Sequence, residues 1–124
     1  MRAHLAALAT LTALSPLPGT AEEWKTRPDD IPLSPAQLSQ ALVGKTVIFH
    51  DNGRSDFLEN GSYSYTYGEG GTWLGHYTLN PDSIVCVTFV TGTSRCDLFV
   101  FANEKLVVIT QDGLRFPIRE TIEN

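Results

Sequence analysis

Residues 62–73 read SYSYTYGEGGTW. Tyr63, Tyr65 and Tyr67 fall at every second position, Ser and Thr fill the gaps, and a glycine-rich stretch leads on to Trp73. A period of two is that of a strand with one buried face. Gly68-Glu69-Gly70 fits a three-residue hairpin loop whose last glycine takes the left-handed conformation. With that loop, Tyr65 lies opposite Trp73 and Tyr63 covers Gly75. A four-residue connection from Tyr67 to Thr72 would set the tyrosines beside Leu74 and His76 instead. The three-residue loop is preferred because it keeps Trp73 and Tyr77 inside.

Turn signals of the same kind punctuate the chain from Lys45 onward. Asn52-Gly53, Asn60-Gly61 and Asp112-Gly113 read as two-residue turns, since these pairs tolerate positive φ at both central positions. Val90-Thr91-Gly92 fits another three-residue loop. Asn80-Pro81-Asp82-Ser83 fits a β-turn with proline second, and Asn103-Glu104 is a weaker two-residue turn. These seven turns separate eight strands, near 45–51, 54–59, 62–67, 71–79, 84–89, 93–101, 106–111 and 114–119.

Each turn also decides which residues share a face, because side chains alternate along a strand. Followed through all seven turns, one face carries Val47, Phe49, Asp56, Leu58, Tyr63, Tyr65, Trp73 and Tyr77. It continues through Leu79, Ile84, Cys86, Cys96, Leu98, Val100, Val107, Ile109, Phe116 and Ile118. Cys86 falls opposite Cys96 in a non-hydrogen-bonded pair, close enough for a disulfide. The expected fold is all-β: an eight-stranded antiparallel up-and-down barrel, whose closure removes exposed edges. A barrel of eight strands holds packed side chains or one small ligand.

A short helix precedes the strands. Ser34 is an N-cap, Pro35 suits the first helical position, Gln37 completes a capping box, and Gly44 stops the run. Leu38, Ala41 and Leu42 form its apolar face. Residues 22–33, EEWKTRPDDIPL in sequence, read as a linker lying over the surface, and residues 34–124 as the barrel domain.

At the start of the chain, MRAH, an apolar run LAALATLTAL (5–14) and small residues at Gly19 and Ala21 have the order of an export signal cut before Glu22. The run is too short to span a bilayer. Removing residues 1–21 leaves 103 of 124 residues, one small domain, with eight basic and 14 acidic side chains. That balance argues against a nucleic-acid partner, which normally demands a basic face. In an exported chain, in the periplasm or outside the cell, an isolated cysteine pair reads as a cystine.

Three groups of residues are candidates for function. Tyr63, Tyr65, Trp73 and Tyr77, with Tyr67 beside them, would line a ligand cavity or fill the core, and Asp56 would anchor a ligand's amine or hydroxyl or accept a tyrosine's hydrogen bond. On the opposite, outward face lie Val85, Val87, Phe89, Phe99, Phe101, Leu106 and Val108 with Arg95 and Asp97. An apolar patch of that size meets a partner or is covered by the helix. No catalytic, metal-binding or cofactor-binding constellation is legible: His50 and His76 lie on different strands, and Gly68–Gly71 lacks the lysine and helix of a phosphate loop.

The stretch GTWLGHYTLNPDSIVC (71–86), with RCDLF (95–99) and QDG (111–113), resembles small secreted bacterial single-disulfide proteins of unassigned function. In architecture the chain is similar to lipocalins, avidins and periplasmic inhibitors of lysozymes and proteases. It departs from lipocalins and avidins at GKTV (44–47), which holds no tryptophan, and no functional residue is carried over.

The leading expectation is an exported, non-enzymatic barrel that binds an envelope or secreted protein, or an enzyme it inhibits, through Val87, Phe89, Phe99, Phe101 and Val108. The alternative is a small-ligand carrier using the aromatic interior, and an enzyme comes third. An open-ended cavity of a few hundred Å³ separates carrier from partner-binder.

Overall fold

Nine strands and one helix account for most of residues 23–124, which the structure, a computed structural model, describes. The expected export signal at 1–21 lies outside these residues. In chain order the elements are β1 Ile31–Pro32, α1 Pro35–Leu42, β2 Lys45–Phe49, β3 Arg54–Phe57, β4 Ser62–Thr66, β5 Thr72–Asn80, β6 Ile84–Phe89, β7 Ser94–Ala102, β8 Lys105–Ile109 and β9 Arg115–Glu123. Strands β2 to β9 pair antiparallel with their sequence neighbours, and β9 returns to pair with β2, so the sheet closes into an eight-stranded up-and-down barrel. The short β1 adds to β7 beyond the end of β6, pairing Ile31 with Phe101.

Three loops have the expected length: 68–70, 90–92 and 103–104. The other four each have three residues instead of two: 50–52, 59–61, 81–83 and 111–113. The left-handed residue is then Asn52, Gly61 or Gly113, with φ of 70°, 93° and 90°. Side chains favour the longer loop. Asp51 Oδ1 accepts from Gly53 N at 2.8 Å and Asn60 Oδ1 from Ser62 N at 2.9 Å, so a mid-loop side chain holds the returning strand. At Pro81–Ser83, Asp82 and Ser83 both take positive φ. Ser83 Oγ donates to Phe99 O at 2.7 Å and accepts from Leu33 N at 3.0 Å, which ties the turn to two other segments.

Every extra loop residue exchanges the faces of the strands that follow, and a second one restores them. The first two loops therefore invert β3 alone, and the last two invert β6, β7 and β8. Tyr63, Tyr65, Trp73, Tyr77, Phe116 and Ile118 face inward as expected. Ser55 and Phe57 replace Asp56 and Leu58 inside, since Val47 pairs with Ser55 and Tyr63 with Phe57. Val85, Val87, Phe89, Phe99, Phe101, Leu106 and Val108 are likewise interior, packed in one cluster with Val47, Phe57 and Tyr77.

The helix is assembled from the expected parts. Ser34 Oγ accepts from Gln37 N at 3.2 Å, while Gln37 Oε1 accepts from Ser34 N at 2.9 Å. Its place was not foreseen. Leu38 and Leu42 are 1% and 0% exposed and belong to the interior cluster, so α1 closes one end of the barrel rather than covering an outer patch.

Outside, Leu98, Val100, Ala102, Val107 and Ile109 form a second buried cluster with Trp24 and Ile84 against it. The segment before α1 thus lies over the barrel wall as expected, and it buries apolar residues there. Arg115 on β9 fixes it by donating to both carboxylate oxygens of Asp30, at 2.8 and 2.9 Å. The cystine belongs to this outer face. Cys86 pairs with Cys96 as expected, with Cα atoms 4.0 Å apart, but it is not inside.

Candidate functional site

Inside the barrel, opposite the end closed by α1, lies a cavity of about 580 Å³. Its walls carry Phe49 from β2, Ser55 and Phe57 from β3, Tyr63 and Tyr65 from β4, and Trp73 from β5. Val85, Val87 and Phe89 from β6, Arg95, Asp97 and Phe99 from β7, Val108 from β8 and Phe116 from β9 complete them. At the rim stand exposed residues: His50, Asp51, Tyr67, Trp73, Thr93 and Phe116. The loops at 50–52, 68–70, 90–92 and 111–113 surround this mouth, because an up-and-down chain places alternate turns at the same end.

Aromatic rings run unbroken from mouth to floor. Trp73 lies 6.3 Å from Phe89, Phe89 6.0 Å from Tyr63, Tyr63 5.2 Å from Phe57, and Phe57 5.0 Å from Tyr77, by ring centroids. A second group joins Phe49 to Tyr65 at 6.4 Å and Tyr65 to Tyr67 at 5.0 Å. Most of these pairs meet edge-on, the arrangement the ring quadrupole favours. Gly75 makes the first chain possible: a Cβ there would strike the backbone at Thr88 and Phe89.

Two polar pairs interrupt this apolar lining. Ser55 Oγ and Tyr63 Oη lie 2.8 Å apart and both are buried. Burial pushes the Tyr63 phenol up to about 12, against a smaller downward pull from its bond to Ser55. Arg95 donates from Nε and Nη2 to the two oxygens of Asp97, at 3.0 and 2.8 Å. That bond raises the Arg95 pKa further, so the guanidinium stays charged. Both pairs line the same cavity.

No protein-family model, curated protein or solved structure matches this chain. The site is therefore read from its own geometry.

Of the five residues expected to bind a ligand, Tyr63, Tyr65 and Trp73 line the cavity. Tyr77 points inward but sits below it, donating from its hydroxyl to Leu58 O at 2.7 Å. Asp56 is a correction. The three-residue loops on both sides of β3 turn it outward, where it accepts from the Thr46 and Ser64 hydroxyls. The five expected partner-binding residues are also corrected: Val87, Phe89, Phe99 and Val108 line the cavity, and Phe101 packs in the interior core. The turn at Pro81–Ser83 moves all five inside.

Sequence reasoning missed Ser55, and it set Arg95 and Asp97 on the outward patch, whereas both line the cavity. The last two flank Cys96 in Arg95-Cys96-Asp97, so whichever face the cystine takes, they take the other. An outward cystine would have brought both into the barrel, but nothing local to the sequence chose that side.

Proposed function

We propose that the protein is an exported, non-enzymatic carrier that holds one small aromatic or amphipathic molecule inside its barrel. A single observation carries this reading: a cavity of about 580 Å³, aromatic-walled, closed by α1 at one end and rimmed by exposed residues at the other. That volume falls in the range of small-ligand sites, and an apolar lining with few polar groups is their usual composition. The lipocalin-like architecture anticipated above supports the same reading by analogy. The partner-binding reading has lost its observation, since the five residues meant to form the outer surface face inward. Export is supported by the cystine and by the basic, apolar and small-residue order of positions 1–21.

The test uses protein recovered from the envelope fraction of an exporting host, with an intact mass starting at Glu22 expected. Titration with the apolar dye N-phenyl-1-naphthylamine is expected to give saturable, one-to-one fluorescence enhancement, lost by about tenfold in affinity in Tyr65→Ala, the loss that ~1.4 kcal/mol of missing contact produces. Cooperatively melting protein that shows no saturable enhancement would refute the carrier.

A further inference from the structure

The polar pairs of the cavity leave one buried hydroxyl hydrogen without an acceptor among the described residues. Ser55 and Tyr63 possess one hydroxyl hydrogen each, and one of the two is used between them. The second has no acceptor among the described residues, although Ser55 is only 5% and Tyr63 only 8% exposed. Across the site, Arg95 commits Nε and Nη2 to Asp97, and its Nη1 has no acceptor among the described residues. A buried donor left without an acceptor is costly, so the Ser55–Tyr63 pair favours a guest that brings an acceptor, and Arg95, whose side chain is 54% exposed, offers its spare nitrogen from the open side of the cavity.

Charge narrows the guest. Asp97 already balances Arg95, so the wall that holds the donors carries no net charge. Asp51 stands at the mouth and adds repulsion for an anion entering there, while Asp112 in the neighbouring loop is offset by Lys25 beside Gly113. A cation would find the Asp97 charge already balanced by Arg95. An uncharged oxygen suits the spare donors without either penalty.

We propose that the ligand is an uncharged, flat ring compound bearing a carbonyl oxygen, which the Ser55–Tyr63 hydroxyl pair and Arg95 bind while the ring lies among Tyr65, Trp73 and Phe89. The inference rests on the carrier reading and specifies its substrate class.

Three naphthalene dyes separate the two claims. N-phenyl-1-naphthylamine has no acceptor oxygen, 6-propionyl-2-(dimethylamino)naphthalene has a carbonyl, and 1-anilinonaphthalene-8-sulfonate has an anion. Wild-type protein is expected to bind the carbonyl dye about tenfold more tightly than either of the others, the gain of one or two hydrogen bonds to otherwise unsatisfied donors. That preference is expected to shrink toward parity in Arg95→Met and in Tyr63→Phe, with a circular-dichroism melt showing that each variant folds. The wild-type ranking stands as a test by itself if a variant does not fold. Equal binding of the carbonyl dye and the naphthylamine, tightest binding of the sulfonate, or a preference kept in both variants would overturn the ligand class and leave the carrier intact. Binding of none of the three would remove both.

Discussion

Asp56 and Ser55 are neighbours, and one loop residue decides which enters the barrel. Inside, Asp56 would be a carboxylate among aromatic rings. Outside, it accepts from two hydroxyls, and Ser55 takes the interior position as a small neutral partner for Tyr63. Burial of a charge without a partner is far costlier than burial of a hydrogen-bonded hydroxyl, so the observed register is the stable one. Asp30 shows the other way of burying a carboxylate. Its side chain is 1% exposed and is met by both nitrogens of the Arg115 fork, with the Arg27 amide adding a third donor. The Arg115 hydrogen bonds, outweighing desolvation, hold the Asp30 carboxyl below its usual 3.8. The folded state therefore favours the ionised form. Its stabilisation is complete above the unfolded value near 3.8 and is lost as pH falls through the lowered folded-state value. Asp30→Asn is expected to cost about 2–3 kcal/mol at pH 7, as a charge-assisted pair is lost and Arg115 is left with a neutral partner. Urea midpoints between pH 7 and pH 2.5 are expected to fall less steeply for the variant than for wild type. Parallel acid profiles would show that the pair contributes no linkage.

At the scale of elements, the hairpins determine everything the site contains. Three of the four longer loops use side-chain hydrogen bonds of Asp51, Asn60 and Ser83 that a two-residue turn would not use, and at the fourth Thr110 Oγ1 accepts from Leu114 N. Strand β3 offered an audible warning in its own sequence, since Phe57 suits an interior better than Asp56 does. Strands β6 to β8 offered none. Ile84-Val85, Leu98-Phe99-Val100-Phe101 and Leu106-Val107-Val108-Ile109 are apolar on both faces, because one face lines the barrel and the other forms the outer cluster against which Trp24 packs. Alternation carries no information when both faces are dry. The cystine tests this arrangement. It joins β6 to β7 on the outer face and closes a loop of sequence separation 10. Cys86→Ser with Cys96→Ser is expected to lower stability by roughly 2–3 kcal/mol in denaturant melts. Dye affinity below the new transition is expected to change less than twofold, because no cavity wall is touched. A large loss of affinity in the folded variant would place the cystine's influence inside.

For the whole molecule, barrel closure and α1 together make a container with one open end. Phe99, expected on an outer surface, is 4% exposed on the cavity wall. Phe99→Asp is therefore expected to destabilise the fold by at least about 3 kcal/mol, through lost aromatic burial and a carboxylate set among apolar groups. On an outer patch the same change would leave the melting curve nearly unmoved, so a thermal melt by circular dichroism distinguishes the two placements. Much was legible from the residues alone: the eight strands of the barrel, the helix cap, the Tyr65–Trp73 pairing, the Cys86–Cys96 pairing and the up-and-down closure. All but the closure, which joins β2 to β9 from opposite ends of the barrel sequence, depend on contacts within one hairpin or one helical turn. Which face of β6, β7 and β8 looks inward depends instead on what covers the opposite face, and Trp24, dozens of residues earlier in the chain, packs there. Only the assembled tertiary structure brings those segments together, and with them the side of the wall on which Arg95 and Asp97 stand.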